Sequence, residues 1–282
     1  MKRLAICIFA LTLAISAFAT GQDGDNVIID GEEWSLLAKP IYADTLLSKG
    51  LKTALPKERT VITSNWSGYT AYWSIKNEKM CLDSITVMSS GNGTIRMPEV
   101  DIRRVFKDYC DEDNIVATWI TGDLRAARGK VLYYEHSGFE RNQEYEQILK
   151  VNQGKVTGRQ TFHNRVAVDG FSLKGLEAQL RKKDRKEIRA IFPLHIENYP
   201  ELADVKRIVF SVSNIKVDSL GNLLDCRVTA KIWQQDEPQE VERLAQEMKE
   251  LLKNIRPWKT LFINGEYFVE ERYGFTFPYI LS

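Results

Sequence analysis

Histidine is scarce: the chain of 282 residues holds three, His136, His163 and His195. None stands in a His-x-x-x-His or His-Glu-x-x-His pattern, and no Cys-x-x-Cys occurs, so the common zinc spacings are excluded. There is no Gly-x-Ser-x-Gly elbow, P-loop or dinucleotide fingerprint, which removes the familiar hydrolase, nucleotidase and dinucleotide-dependent readings. A charge excess is also missing, since 39 Lys plus Arg face 38 Asp plus Glu. That balance gives no support to a nucleic acid or an anionic membrane as partner. Prolines number eight and low-complexity runs are absent, while 44% hydrophobic residues suffice for packed cores. After the first nineteen residues no run is long and apolar enough to span a bilayer. No cofactor, metal site or catalytic residue is expected.

What is present begins with a three-part leader. Met1-Lys2-Arg3 is positive, Leu4 to Ile15 is apolar except for Thr12, and Ala17-Phe18-Ala19 is small-x-small. This is a secretory signal with cleavage expected after Ala19. The apolar stretch, about sixteen residues counted through Ala19, falls short of the ~20 of a spanning helix. Lipidation at Cys7 is excluded, because Ile6 sits where a small residue is needed. The expected location is the periplasm or the outer-membrane periphery. Three cysteines then remain, Cys81, Cys110 and Cys226, so at least one thiol is free or pairs between chains. Two readings stand: a Cys81–Cys110 disulfide with Cys226 buried alone, or three buried small apolar side chains.

The fold class expected is α+β: an antiparallel β-rich domain over 27–170, a helix and connection over 171–199, and a small β-β-α-β domain over 200–282. In the first, Tyr69–Ile75 and Met80–Met88 read as a hairpin around Lys76–Lys79, and Tyr145–Val151 and Val156–Phe162 as another. Val116–Ile120 and Lys130–Tyr134 read as short strands, the latter after a turn at Ala127-Arg128-Gly129. The stretch from Pro98 to Cys110, with Val100, Val105 and Phe106, is a short helix or a loop. Leu173, Leu176 and Leu180 followed by a basic run to Lys186 predict an amphipathic helix with a solvated end.

The C-terminal stretch is the most informative. Arg207–Val217 is a long β-type run whose apolar parity switches from Phe210 and Val212 to Ile215 and Val217, which requires a bulge near Ser213-Asn214. A turn at Asp218–Asn222 returns the chain through Leu223–Trp233. A helix is predicted over 236–255, with Asp236 as N-cap and Gln239 in capping-box position. Val241, Leu244, Ala245, Met248, Leu251, Leu252 and Ile255 share its apolar face. Pro257 ends it. Ile263–Glu266 is a turn, and Val269–Tyr279 a final aromatic strand.

Over about residues 200–282 this pattern resembles the TonB C-terminal domain. The matching residues are Val217-Asp218 with Gly221, the 236–255 helix, Pro257-Trp258-Lys259, Asn264-Gly265, and Tyr273 through Pro278 to Ile280. TonB's uncleaved anchor and long Pro-rich spacer have no counterpart here. The resemblance implies a docking module that offers a sheet edge to an extended segment of an envelope protein, so that backbone hydrogen bonds extend the sheet. The candidate edge is Glu271–Ile280, with Tyr273, Phe275, Phe277 and Tyr279. The alternative is that this strand is paired internally or in a homodimer.

Aromatic residues crowd the front domain. Trp66, Trp73 and Trp119 are candidate ligand-binding aromatics for a sugar or an apolar ligand, with core packing as the alternative. The hairpin carrying Trp73 loosely resembles the Trp-bearing strands of lipocalin-like barrels, although Ala71 replaces the glycine of their Gly-x-Trp motif; that resemblance implies a barrel with an apolar pocket. Two further candidate sites are a hydrolytic group of His136 and His163 with Glu135 and Glu140, and a calcium loop at Asp111–Asn114, which lacks EF-hand spacing. The function these observations favour is an exported, non-enzymatic protein that binds a protein partner through its C-terminal domain.

Overall fold

The computed structural model describes residues 21–91, 94–96, 100–174, 186–234 and 237–281. The signal at 1–19, Pro98, the predicted helix from Leu176 to Arg185, and Asp236 lie outside the described residues. The chain divides into two compact units, Met1–His163 and Asn164–Ser282.

The front unit is built from β1 (Asp25–Ile29), β2 (Glu32–Leu36), α1 (Thr45–Ala54), β3 (Thr70–Lys76), β4 (Lys79–Thr86), the small hairpin β5 (Ser89–Gly91) and β6 (Thr94–Arg96), then β7 (Cys110–Asp111), β8 (Asn114–Val116), β9 (Gly122–Tyr134), β10 (Arg141–Asn152) and β11 (Lys155–His163). Its main sheet runs β11-β10-β9-β2-β1-β3-β4-β8-β7. β11 also meets β4, with Lys155 opposite Lys79. Main-chain bonds from Met80 to Gly154 (2.8 Å) and from Val156 to Glu78 (2.7 Å) reinforce that seam. Seven strands therefore close into a ring, which leaves β8 and β7 as a flap on β4. The sheet is not wholly antiparallel: β1 and β3 are parallel, as the long crossover through β2 and α1 between them permits.

Side chains fill this ring. Val27 and Ile29 alternate inward on β1, and Trp34 and Leu36 on β2. Trp73, Met80, Ile85, Leu149 and Val151 share their core. The helix α1 departs from the largely strand expectation for this part of the chain. Asp44 caps it, one carboxylate oxygen accepting from the N–H of Leu46 (2.8 Å) and of Leu47 (2.9 Å). Leu47, Leu51 and Leu55 then recur every four residues and join the same core. Both predicted hairpins form, β3–β4 and β10–β11. The expected turn at Ala127–Gly129 is instead a bulge within the long strand β9, where the register with β10 slips between Gln143 and Tyr145. The expected strand Val116–Ile120 stops at Val116, and Ala117 and Ile120 enter the core from a loop. The stretch ending at Cys110 is a loop with one short 3-10 turn, Lys107–Tyr109, anchored by buried Ile102 and Phe106.

The second unit holds β12 (Arg165–Val168), α2 (Lys186–Ile191), β13 (Arg207–Val217), β14 (Leu223–Gln234), β15 (Glu237–Glu240), α3 (Glu242–Asn254), β16 (Thr260–Ile263), β17 (Glu266–Val269) and β18 (Phe275–Ile280). One sheet is β15-β14-β13-β18 and another β12-β16-β17. Because β12 pairs with β16, this unit begins at Asn164, ahead of the expected boundary at 170. The expected connection 171–199 belongs to the unit's core, contributing Leu173, Ile188, Phe192, Leu194 and Tyr199.

The predicted bulge is present: Asn214 has φ of 51° and the register jumps between Ser213 and Lys216. The helix, however, starts at Glu242 rather than 236. Gln239 lies in β15, and the helix has no side-chain cap. Instead Val241, at its N-cap, donates its N–H to Ala230 of the sheet (2.9 Å). The predicted apolar face is the buried one, led by Leu244, Met248 and Leu252. Trp258 closes the core beneath it, fully buried, with Nε1 donating to the carbonyl of Leu252 (3.2 Å). The final strand is split, since β17 ends at Val269 and β18 starts at Phe275. Gly274 turns the chain at φ 87°, with the carbonyl of Val212 where a Cβ would stand.

Candidate functional site

β18 is the last strand of its sheet, paired on one side with β13 from Arg207↔Ile280 to Val212↔Phe275. The bond from the N–H of Leu281 to the carbonyl of Lys206 (2.9 Å) fixes the parity. In an antiparallel ladder, alternate residues aim both main-chain groups at the partner and the residues between aim theirs away. Phe275, Phe277 and Tyr279 therefore bond to β13, whereas Thr276, Pro278 and Ile280 aim outward. Among the described residues no other strand pairs with that outer row. Pro278 contributes an acceptor there and no donor. The carbonyl of Ile280 is taken by Arg189 Nε of α2 (2.5 Å). The outward groups left for another chain are the N–H and C=O of Thr276, the C=O of Pro278 and the N–H of Ile280. β15, the opposite edge, has the same arrangement: Val241 bonds inward to Ala230, so Pro238, in odd-even alternation with it, turns its ring nitrogen outward.

The four predicted edge aromatics do not act together. Phe277 and Tyr279 are buried, Phe277 stacked on Phe210 and Phe192 and Tyr279 edge-on to Phe210, and Tyr279 Oη donates to the carbonyl of Phe192 (2.8 Å). Phe275 is half-buried against the same core. Tyr273 lies in the bend before the strand and is 64% exposed. Only Tyr273 and part of Phe275 are within reach of a partner, because β-strand side chains alternate and this strand's odd positions face the helix layer.

The three tryptophans also separate. Trp73 is fully buried, and half-buried Trp119 packs at 6.2 Å from it, among Phe106 and Tyr109. Trp119 Nε1 donates to the carbonyl of Pro40 (3.3 Å). These two are core residues, so among the described residues the three tryptophans do not line one pocket. Trp66 is apart from them, 66% exposed.

The hydrolytic cluster does not assemble. His163 faces Tyr145 across β10, while His136 lies beyond Tyr134, which faces Arg141. Four residues of β10 therefore separate them, about 13 Å at ~3.3 Å per residue. At Asp111–Asn114 the chain makes the tight β7–β8 hairpin, and Asp111 pairs with Lys79 Nζ at 2.8 Å. No cluster of metal-ligating side chains occurs among the described residues.

The three cysteines among the described residues are free, with Cys81 and Cys226 buried and Cys110 exposed. Cys81 lies on β4 and Cys110 on β7, with β8 between them. Two strand spacings are about 9.6 Å, beyond the ~7 Å that a disulfide bridges. Exposure of Cys110 also corrects the reading of three buried thiols.

Two polar constructions had no sequence signature. The Asp25 side chain is fully buried and accepts from Lys39 Nζ (2.9 Å), the N–H of Ala71 (3.0 Å) and Trp73 Nε1 (3.1 Å). Burial holds its carboxyl above the usual range against the opposing pull of Lys39. In the second unit, buried Glu271 accepts from the N–H of Lys174 (2.8 Å) and lies 3.1 Å from Ser172 Oγ, tying the chain before the predicted helix to the bend before β18. No family model, curated protein or solved structure matches the chain.

Proposed function

We propose that this chain is an exported envelope protein of binding type, whose C-terminal unit holds an extended segment of a protein partner along β18. The observation that carries the reading is the outward row of main-chain groups from Thr276 to Ile280, which no described strand covers. The order of β13, β14, α3 and β18, with β18 returning beside β13, supports the likeness to a TonB C-terminal domain. The leader at 1–19 supports export. No helix among the described residues is long and apolar enough to cross a membrane.

Pro278 favours a different chain over a second copy as occupant. In an antiparallel pairing of two β18 strands centred on that residue, each proline faces the other, and both central N–H···O bonds are lost. A partner with an ordinary residue there loses one. Edge prolines discourage like-with-like pairing in this way. The test is capture in the native envelope by the chain from Thr20, beside Thr276→Pro and Ile280→Pro forms, each lacking one outward donor. A partner held by the parent and released by both variants supports the reading. Equal capture by a chain ended at His163 overturns it.

A further inference from the structure

The front unit carries a second feature, independent of β18. A pocket of about 400 Å³ opens between α1 and the loop before β3, within the ~300–1,000 Å³ range of small-molecule sites. Lys49, Lys52 and Arg59 line it, together with the hydroxyl residues Thr45, Ser48 and Ser67 and two tyrosines, and none of its lining residues is acidic. The exposed rings of Trp66 and Tyr42 form part of its wall.

Exposed lysines alone are ordinary solvated charge. What distinguishes this pocket is a pair of donors left without partners. Tyr69, 3% exposed, lines it, and its hydroxyl is buried with no hydrogen-bond partner. Arg59 Nε is likewise buried without a partner. Unsatisfied buried polar groups are rare in folded proteins because each costs desolvation energy. Tyr69 is also held firmly: Lys39 Nζ bonds its carbonyl (2.8 Å) and stands 5.0 Å over its ring. Burial first, and the charge of Asp25 second, push the phenol's pKa above its ordinary value, so at neutral pH it keeps the proton it would donate to an anion. The Asp25–Lys39 pair is neutral as a unit and leaves the three outer cations to set the field.

We propose that this pocket binds an anionic saccharide, a hexose-sized ring bearing a carboxylate or a phosphate. Its ring face lies on Trp66, its charge lies among Lys49, Lys52 and Arg59, and Tyr69 Oη donates to it. Flat aromatic faces stack on sugar rings, guanidinium and ammonium groups pair with carboxylate or phosphate, and the hydroxyls suit the remaining ring oxygens. A bare anion would leave Trp66 and Tyr42 without a role.

The experiment is fluorescence titration of the chain from Thr20 with glucuronate, glucose 6-phosphate, glucose and inorganic phosphate, beside Trp66→Phe, Tyr69→Phe and a Lys49→Glu/Lys52→Glu double variant. The expected result is saturable quenching by one or both anionic sugars, at least about tenfold tighter than by glucose or phosphate. The sugar that binds better identifies the anionic group as carboxylate or phosphate. Trp66→Phe removes the signal, Tyr69→Phe weakens binding about tenfold, the loss of one hydrogen bond to a charged group, and the double variant abolishes it. Lys49 and Lys52 are exposed, so that variant tests the pocket even if Tyr69→Phe fails to fold. Absence of saturable binding by either anionic sugar, equal binding of phosphate alone, or parental affinity in the double variant overturns the proposal.

Discussion

Removing Lys39 from beneath the front sheet should expose the cost of the buried carboxylate it neutralises. In Lys39→Met, Asp25 keeps its bonds from Ala71 and Trp73 but loses an ammonium at 2.9 Å. At an effective dielectric of ~20 the attraction lost is about 6 kcal/mol, part of which the lysine's own desolvation offsets. The net expected loss is ~3–5 kcal/mol, the range for stripping one partner from a buried pair. The pH dependence has a definite sign. Burial already raises Asp25 above its ordinary value of 3.8 in the folded state, and loss of Lys39 raises it further. The folded form then keeps a proton that the unfolded form has released, so stability falls as pH rises from 3.8 towards the folded value. The deficit of Lys39→Met should therefore be smaller at pH 4 than at pH 8. Asp25→Asn should be destabilising too, since it leaves Lys39 charged and unpaired. The double variant Asp25→Asn/Lys39→Met should lose less than the sum of the singles, with coupling of about 2–3 kcal/mol. Urea unfolding followed by hydrogen exchange across β3 reports this unit by itself. Additivity within about 0.5 kcal/mol, or a deficit that does not change with pH, would refute the reasoning.

Other consequences can be checked with simple readouts. Gly274→Ala places a Cβ 2.3 Å from the carbonyl of Val212 at φ 87°, so the second unit should lose at least ~2 kcal/mol, seen as an earlier unfolding transition in Trp258 emission; an unchanged transition would mean the bend tolerates a side chain. A thiol reagent should label the folded chain from Thr20 once, at exposed Cys110, and three times after denaturation. Burial pushes the Cys81 and Cys226 thiols up as well as covering them, so native labelling at either, found by peptide mapping, would contradict their placement.

How much the sequence reveals depends on whether its signals are local. The bulge at Ser213-Asn214 is legible because strand parity has a period of two, and a switch in which residues are apolar demands an extra one. The apolar face of α3 is legible from its spacing, but its start is not, because Val241 is satisfied by Ala230 of the sheet rather than by a side chain within reach in sequence. α1 is legible in its local pattern, since Asp44 followed by Leu47, Leu51 and Leu55 is a capped helix signature. Gly129 reads as a turn because a bulge and a turn use the same residue types. The domain boundary rests on β12 pairing with β16, roughly a hundred residues later in the chain, and no local pattern announces that. The same holds for the Asp25–Lys39 pair. Of the edge aromatics, Phe275, Phe277 and Tyr279 share β18 and Tyr273 precedes it; their faces are not legible, since the inward parity of Phe277 and Tyr279 follows from the pairing with β13.

The central claim is that another chain adds a strand to β18, and amide hydrogen exchange across that strand tests it most directly. In the unbound protein the N–H groups of Thr276 and Ile280 should exchange fast, while those of Phe277 and Tyr279, bonded to β13, should exchange slowly. With the captured partner added, the account predicts that Thr276 and Ile280 slow by at least about tenfold, the equivalent of ~1.4 kcal/mol, with no new protection on β15. Protection that appears elsewhere and leaves Thr276 and Ile280 unchanged would contradict it.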